Sequence, residues 1–183
     1  MDLDNLDNLD NLDNLVIKRE ETTSNNFLAS ENNHVAVCIG VWRLGRRKRV
    51  FKGEEKIQHQ VMLMWEVDEE MEKGEYKGKN KTVNLTTTYS FNSLSRLSKI
   101  IEAWRGKLTP EELKGGFDLN ILVGLPCMLN VLHTESNGKT YANVDTVTKL
   151  PAGMKAFDPD NLYINETPEF IEKFRQNNAE TLK

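Results

Sequence analysis

The chain has 183 residues and a formal net charge of −4, with 38% hydrophobic and 28% charged residues. This length suits one domain with extensions, because a single core usually serves about 100–150 residues. Neither a signal peptide nor an apolar run of the roughly 20 residues that span a membrane is evident. Two cysteines are too few for a disulfide scaffold, so we expect a reduced, cytoplasmic location and no membrane association.

Residues 1–33 are polar and low in complexity. Four copies of Leu-Asp-Asn fill positions 3–14, and a period of three fits neither a helix nor a strand. We therefore expect a disordered acidic tail that contributes little to folding. Two roles stay open for it: a dispensable, repeat-expanded start, or an acidic arm that competes for a basic site or recruits a partner.

Three stretches of alternating apolar and polar residues follow, at 35–41, 61–67 and 83–91. This period predicts β-strands. Gly40 interrupts the first stretch and indicates a bulge. The charged segments 45–56 and 68–81 are expected to be exposed loops.

The apolar period then becomes helical. One amphipathic stripe predicts a helix over 93–105, which Gly106 ends. Thr109 and Pro110 predict the start of a second, short helix, and Glu112 would complete its capping box.

Two more strands, 126–134 and 139–148, enclose Asn137 and Gly138. Asn-Gly between two strand patterns is a strong hairpin signal, because both central residues of this turn need a positive φ. Residues 156–183 are polar and carry a final amphipathic helix near Pro168.

The element order predicts a mainly β fold, a five-stranded OB-fold-like barrel with helices inserted between strands three and four, plus a C-terminal helix. Residues 1–33 form the tail, 34–155 the OB-fold-like domain and 156–183 the C-terminal extension. In such a fold, the face of strands two and three and the 1–2 and 4–5 connections bind oligonucleotides or oligosaccharides.

Charge is segregated along this acidic chain. Between Trp42 and Lys56 there are seven basic residues and only two acidic ones. A cluster in the 1–2 connection predicts phosphate contacts, and a solvated hairpin loop is the alternative. The phosphate candidates are Arg43, Arg46, Arg47, Lys48, Arg49, Lys52 and Lys139. The candidates for stacking on bases are Trp42, Phe51 and Tyr141, because strand parity points Trp42 and Tyr141 outwards and Phe51 lies within the cluster.

Signatures of catalysis are missing from the sequence. His34, His59 and His133 are not at metal-ligand spacing from the two cysteines. No phosphate-cradling loop or nucleophile elbow is present. The carboxylates at 66–72 favour a solvated face over a nuclease metal site. We expect no catalytic residues, no metal and no cofactor.

Several ordered segments resemble a group of small phage and prophage proteins. The segments are 61–66, 94–106, 116–119, 124–131 and 137–144. Members of the group are described as single-stranded-DNA-binding or replication-associated proteins. The resemblance spans about 35–155 and leaves out the Leu-Asp-Asn repeats.

This resemblance implies a non-catalytic protein that coats single-stranded DNA during phage replication or recombination, without strong sequence preference. It also implies the cytoplasm of a bacterial host and partners among phage or host replication and recombination proteins. OB barrels in this role often form homo-oligomers. The alternative is a protein-interaction module of such a complex that does not itself bind DNA.

Overall fold

The protein is described here by a computed structural model, which covers residues 26–180 and 182. Its five strands are β1 (Asn33–Phe51), β2 (Glu54–Glu70), β3 (Asn80–Thr88), β4 (Pro126–Ser136) and β5 (Lys139–Thr148). They form one antiparallel sheet in the order β3-β2-β1-β4-β5. Helices α1 (Arg96–Arg105) and α2 (Pro110–Gly115) and a 3₁₀ turn (Leu119–Leu122) link β3 to β4, and α3 (Glu169–Glu180) follows β5. The predicted mainly β fold is confirmed.

The sheet is open in the part of the chain that the structure describes, because no hydrogen-bonded pairing joins its outer strands β3 and β5. Helix α1 contacts both of these strands. It buries Leu97, Ile101 and Trp104 in the main core. Arg96 donates to the carbonyl of Val144 on β5 at 2.6 Å. The helix therefore packs against both edges of the sheet.

Two local backbone signals in the sequence are confirmed and one helix start is corrected. The capping box of α2 is complete. Helix α1 begins at Arg96 and not at 93 as predicted, because the hydroxyl of Ser95 caps it by accepting from the N–H of Ser98 at 3.2 Å. The β4–β5 turn has φ values of 52° at Asn137 and 72° at Gly138, as an Asn-Gly hairpin requires.

The bulge in β1 changes which residues face the core. Cys38 pairs with Trp65 and Gly40 with Met64, so Ile39 is the extra residue. Before the bulge, Ala36 and Cys38 belong to the main core; after it, Val41 does. Counted from Val35, the alternation over 35–41 predicts Val35 and Val37 on the core face, and this prediction is wrong before the bulge. Alternation misleads there because β1 is buried on both faces.

The C-terminal extension forms a second core on the other face of β1 and β2. Ile171 of α3 packs with Trp42, Leu44 and Met62 there. Beyond Val37, where pairing with β4 ends, the extension also covers the open edge of β1. Three of its groups donate to edge carbonyls: Tyr163 N–H to Ile39 (2.8 Å), Arg175 Nε to Arg43 (2.9 Å) and Asn178 Nδ2 to Leu44 (3.1 Å). Buried backbone carbonyls need such partners, so the extension completes the domain.

Residues 26–32 also pack on the sheet, so the predicted disordered tail extends too far towards β1. Ala29 is buried in the main core, and its carbonyl lies 2.7 Å from Nε2 of His133. The amide of Asn26 bonds to the backbone of Lys73. The rest of the predicted tail, 1–25, lies outside the described residues.

Candidate nucleic-acid interface

The basic segment is a two-stranded ribbon and not the predicted loop. β1 and β2 stay paired as far as Phe51 and Glu54, and Lys52 and Gly53 form a turn with φ values of 52° and 79°. β3 accompanies β2 only from Gln60 onwards. Residues 45–59 therefore extend beyond the remaining strands and are hereafter the basic arm. The ribbon could not be predicted from the sequence, because both of its faces are exposed and it therefore lacks the alternation of apolar and polar residues that predicts strands.

Both faces of the basic arm carry positive charge. Directly paired residues share a face of the ribbon, so the register of β1 and β2 shows on which face each side chain lies. One face holds Arg46, Lys48 and Val50 with His59, Ile57 and Glu55; the other holds Arg47 and Arg49 with Gln58 and Lys56. Among the described residues, no carboxylate pairs with Arg46, Arg47 or Lys48, and all three are exposed. These three cations are available to an anionic partner.

Two other arginines are held by neighbours. The guanidinium of Arg43, at the base of the arm, lies 4.3 Å from the ring centroid of Tyr89. With its amide oxygen towards the arm, Gln60 accepts from Arg49 at 2.9 and 3.2 Å. A stacked guanidinium keeps its charge and its outer donors, so Arg43 still contributes to the positive potential.

Trp42 is buried, so its predicted role as an exposed stacking residue is wrong. Its ring packs edge-on against Tyr163 and Phe170, at centroid distances of 5.5 and 5.7 Å. Its Nε1 donates to the carbonyl of Glu166 at 2.8 Å. Parity did point Trp42 away from the main core. The C-terminal extension covers that face, which no local pattern revealed.

The remaining predicted residues lie apart from the arm or outside the described atoms. Lys139 and Tyr141 are exposed on the β4–β5 hairpin. β4 pairs antiparallel with the first residues of β1, so this hairpin lies beyond the N-terminal end of β1, whereas the arm contains the C-terminal residues of β1, from Gly45 to Phe51. The side chain of Phe51 is outside the described part of the structure.

Charges along 66–81 serve the fold. Lys81 bonds Glu69 at 2.5 Å and Lys79 bonds Asp160 at 3.2 Å, so both lysines are paired with carboxylates. Glu66 is fully buried, contrary to the solvated face that we expected. Its carboxylate accepts from the backbone N–H groups of Asp160 and Asn161 at 2.6 and 2.9 Å and anchors the C-terminal extension. No group of three potential metal ligands occurs among the described residues.

One functional candidate was missed from the sequence. Arg175 lies on α3, and its bond to the carbonyl of Arg43 brings a further cation to the base of the arm. Its Nη1 also donates to a carboxylate oxygen of Glu172 at 2.8 Å, and this ion pair is exposed. Only the packing of α3 on β1 could reveal this position, because the two residues are 132 apart in sequence.

No protein-family model matches the chain, and no curated protein shows significant similarity to it. Within the described residues, none of the helices has the length and apolar character to cross a membrane. The fold and the basic arm therefore carry the functional argument.

Proposed function

We propose that the protein binds single-stranded DNA through the basic arm. The observation that carries the proposal is the concentration of exposed cations on both faces of a projecting ribbon, in a chain with net charge −4. Phosphates are the ligands that such a surface attracts, and they supply most of the sequence-independent binding energy. Contacts to phosphate carry no sequence information, so the protein would coat strands without strong sequence preference.

We further propose that the sheet is of the OB type, opened between β3 and β5. In support, β1 lies between β2 and β4, and helices separate β3 from β4 along the chain. The 1–2 connection of this fold contributes to oligonucleotide binding, and the basic arm is that connection.

The resemblance to phage and prophage single-stranded-DNA-binding proteins supports the same ligand. On this proposal the protein acts in phage replication or recombination, in the cytoplasm of a bacterial host, and has no catalytic activity. Phage or host replication proteins are the partners that this role implies, and the exposed Tyr141 is a further base-stacking candidate.

The test is a fluorescence-anisotropy titration with single-stranded DNA, duplex DNA and RNA at several salt concentrations. A plot of log affinity for single strands against log salt concentration should have a slope of roughly −0.7 per phosphate contact. Replacing Arg46, Arg47 and Lys48 with glutamine should flatten that slope by about two units if all three contact phosphate.

In a matched control, three exposed lysines that lie outside the arm are replaced with glutamine: Lys99, Lys107 and Lys114. It changes net charge equally and should leave the slope nearly unchanged. Equal effects of both triple variants would mean that net charge alone matters. Absence of binding in the wild type would favour the protein-interaction module, and cleavage of labelled DNA with magnesium would reveal a nuclease.

A further inference from the structure

A cleft of about 530 Å³ lies where α3 meets the base of the basic arm. Its surface is predominantly apolar, with Leu44, Ala179 and Leu182 among the residues that line it. The volume falls within the range of roughly 300–1,000 Å³ that is usual for small-molecule sites. A planar, largely apolar group of nucleobase size could enter it.

Two side chains of α3 hold this cleft in shape. Leu44 lies at the register shift between Arg43 and Gly45, which frees its carbonyl from the β1–β2 ladder. Asn178 donates to that carbonyl at 3.1 Å, and Arg175 donates to the carbonyl of Arg43 at 2.9 Å. These bonds fix the helix to the strand on the side of the cleft that Leu44 and Ala179 form.

The surroundings of the cleft are cationic. Arg43, Arg46 and Arg175 line it together with His59, and Glu172, which pairs with Arg175 at 2.8 Å, is not among the lining residues. Arg46 belongs to the basic arm, so the cleft continues directly from the proposed phosphate path. An apolar slot beside arginines complements a base that is flanked by two phosphates, and guanidinium planes also stack on bases.

We infer that this cleft accepts one unpaired nucleobase of a bound single strand, while the neighbouring phosphates contact Arg46 and Arg175. The inference rests on the proposed function, since the strand must first follow the arm. It also supplies a reason for a preference over duplex DNA. Bases in a duplex are paired and stacked, and inserting one would cost a few kcal/mol of unpairing.

The test fills the cleft without changing its charge. Ala179→Leu adds an apolar side chain in the slot, and both residue types favour helices. Asn177→Leu is the control, because two residues along a helix places it on the opposite side of α3. The probes are an oligothymidylate and an abasic strand of equal length and charge. Anisotropy gives the affinities, and thermal melting shows that both variants fold.

The wild type and Asn177→Leu should bind the thymine strand about tenfold more tightly than the abasic strand, the scale of one stacked base. Ala179→Leu should reduce the ratio of these two affinities at least threefold and leave the affinity for the abasic strand unchanged. An unchanged ratio in Ala179→Leu would overturn the nucleobase site and leave the basic arm as the binding surface. Failure of the wild type to bind either strand would instead remove the proposed function.

Discussion

The indole ring of Trp42 lies directly against Gly40, so closely that a Cβ on Gly40 would be 2.1 Å from Cη2 of the ring. The ring is fixed in this place by the bond from Nε1 to the carbonyl of Glu166. Gly40 is therefore required for close approach of an aromatic ring in the second core. The sequence indicated a strand-bending role, and the bulge itself lies at the neighbouring Ile39.

Gly40→Ala should lower the free energy of unfolding by about 1–3 kcal/mol, the usual cost of overpacking a core. The new methyl group would displace the ring and loosen the packing of α3. Chemical denaturation measures the change. Gly115→Ala is the control, because nothing lies within 4 Å of a Cβ there, and it should be neutral or slightly stabilising. Equal effects at both positions would contradict the Trp42 contact.

Trp42 variants should change stability rather than DNA affinity. Trp42→Ala should cost about 3–5 kcal/mol because it empties the second core. Trp42→Phe keeps most of the packing but leaves the carbonyl of Glu166 without its donor, which should cost about 1–3 kcal/mol.

The measurement is single-strand affinity of Trp42→Phe under conditions where it is folded, beside its unfolding curve. A large loss of affinity with unchanged stability would restore Trp42 as a stacking residue.

The two cysteines should be inert in the folded protein. Both thiols are buried in the main core; burial raises the pKa of Cys38 to about 12 and the pKa of Cys127 still further. Only the thiolate reacts rapidly, so a thiol reagent near neutral pH should label neither residue until the core opens. Labelling should therefore accelerate with denaturant in parallel with global unfolding. Fast labelling in native buffer would show that this part of the core opens locally.

Local signals in the sequence predicted local structure well. The turn at Asn137 and Gly138 and the capping box of α2 depend on backbone conformations that a few adjacent residues determine. The basic arm escaped prediction because an exposed ribbon has no apolar period. The positions of Trp42 and Arg175 escaped because they depend on α3 packing against a strand more than 120 residues away.

Register irregularities limited the prediction of faces. Shifts next to Cys38 and Arg43 each insert a residue into β1, and each reverses the parity of the residues that follow. Alternation counted from Val35 therefore assigns the wrong face to the residues before the bulge, where Ala36 and Cys38 face the main core. The cationic composition of the candidate site could be predicted from sequence, but its ribbon geometry and its cleft could not.

Glu69 links residues 26–32 to the sheet and should make part of the stability dependent on pH. Burial raises its pKa, but the bonds from Lys81 Nζ (2.5 Å) and the N–H of Ser30 (2.7 Å) outweigh burial and hold the pKa below its ordinary value. Nε2 of His34 lies 3.8 Å away from the same carboxylate. A group whose pKa is lower in the folded protein binds protons more readily when unfolded.

The stabilisation from Glu69 should therefore be complete above the ordinary glutamate pKa of about 4.3 and be lost as the pH falls through the folded value. Glu69→Gln should lower the free energy of unfolding at neutral pH and reduce its further fall in acid. Urea unfolding of both proteins at neutral pH and in acid measures this difference. Glu70→Gln, at the exposed neighbouring position, should retain the acid dependence of the wild type. If Glu69→Gln also retains it in full, the carboxylate does not stabilise the fold through its charge.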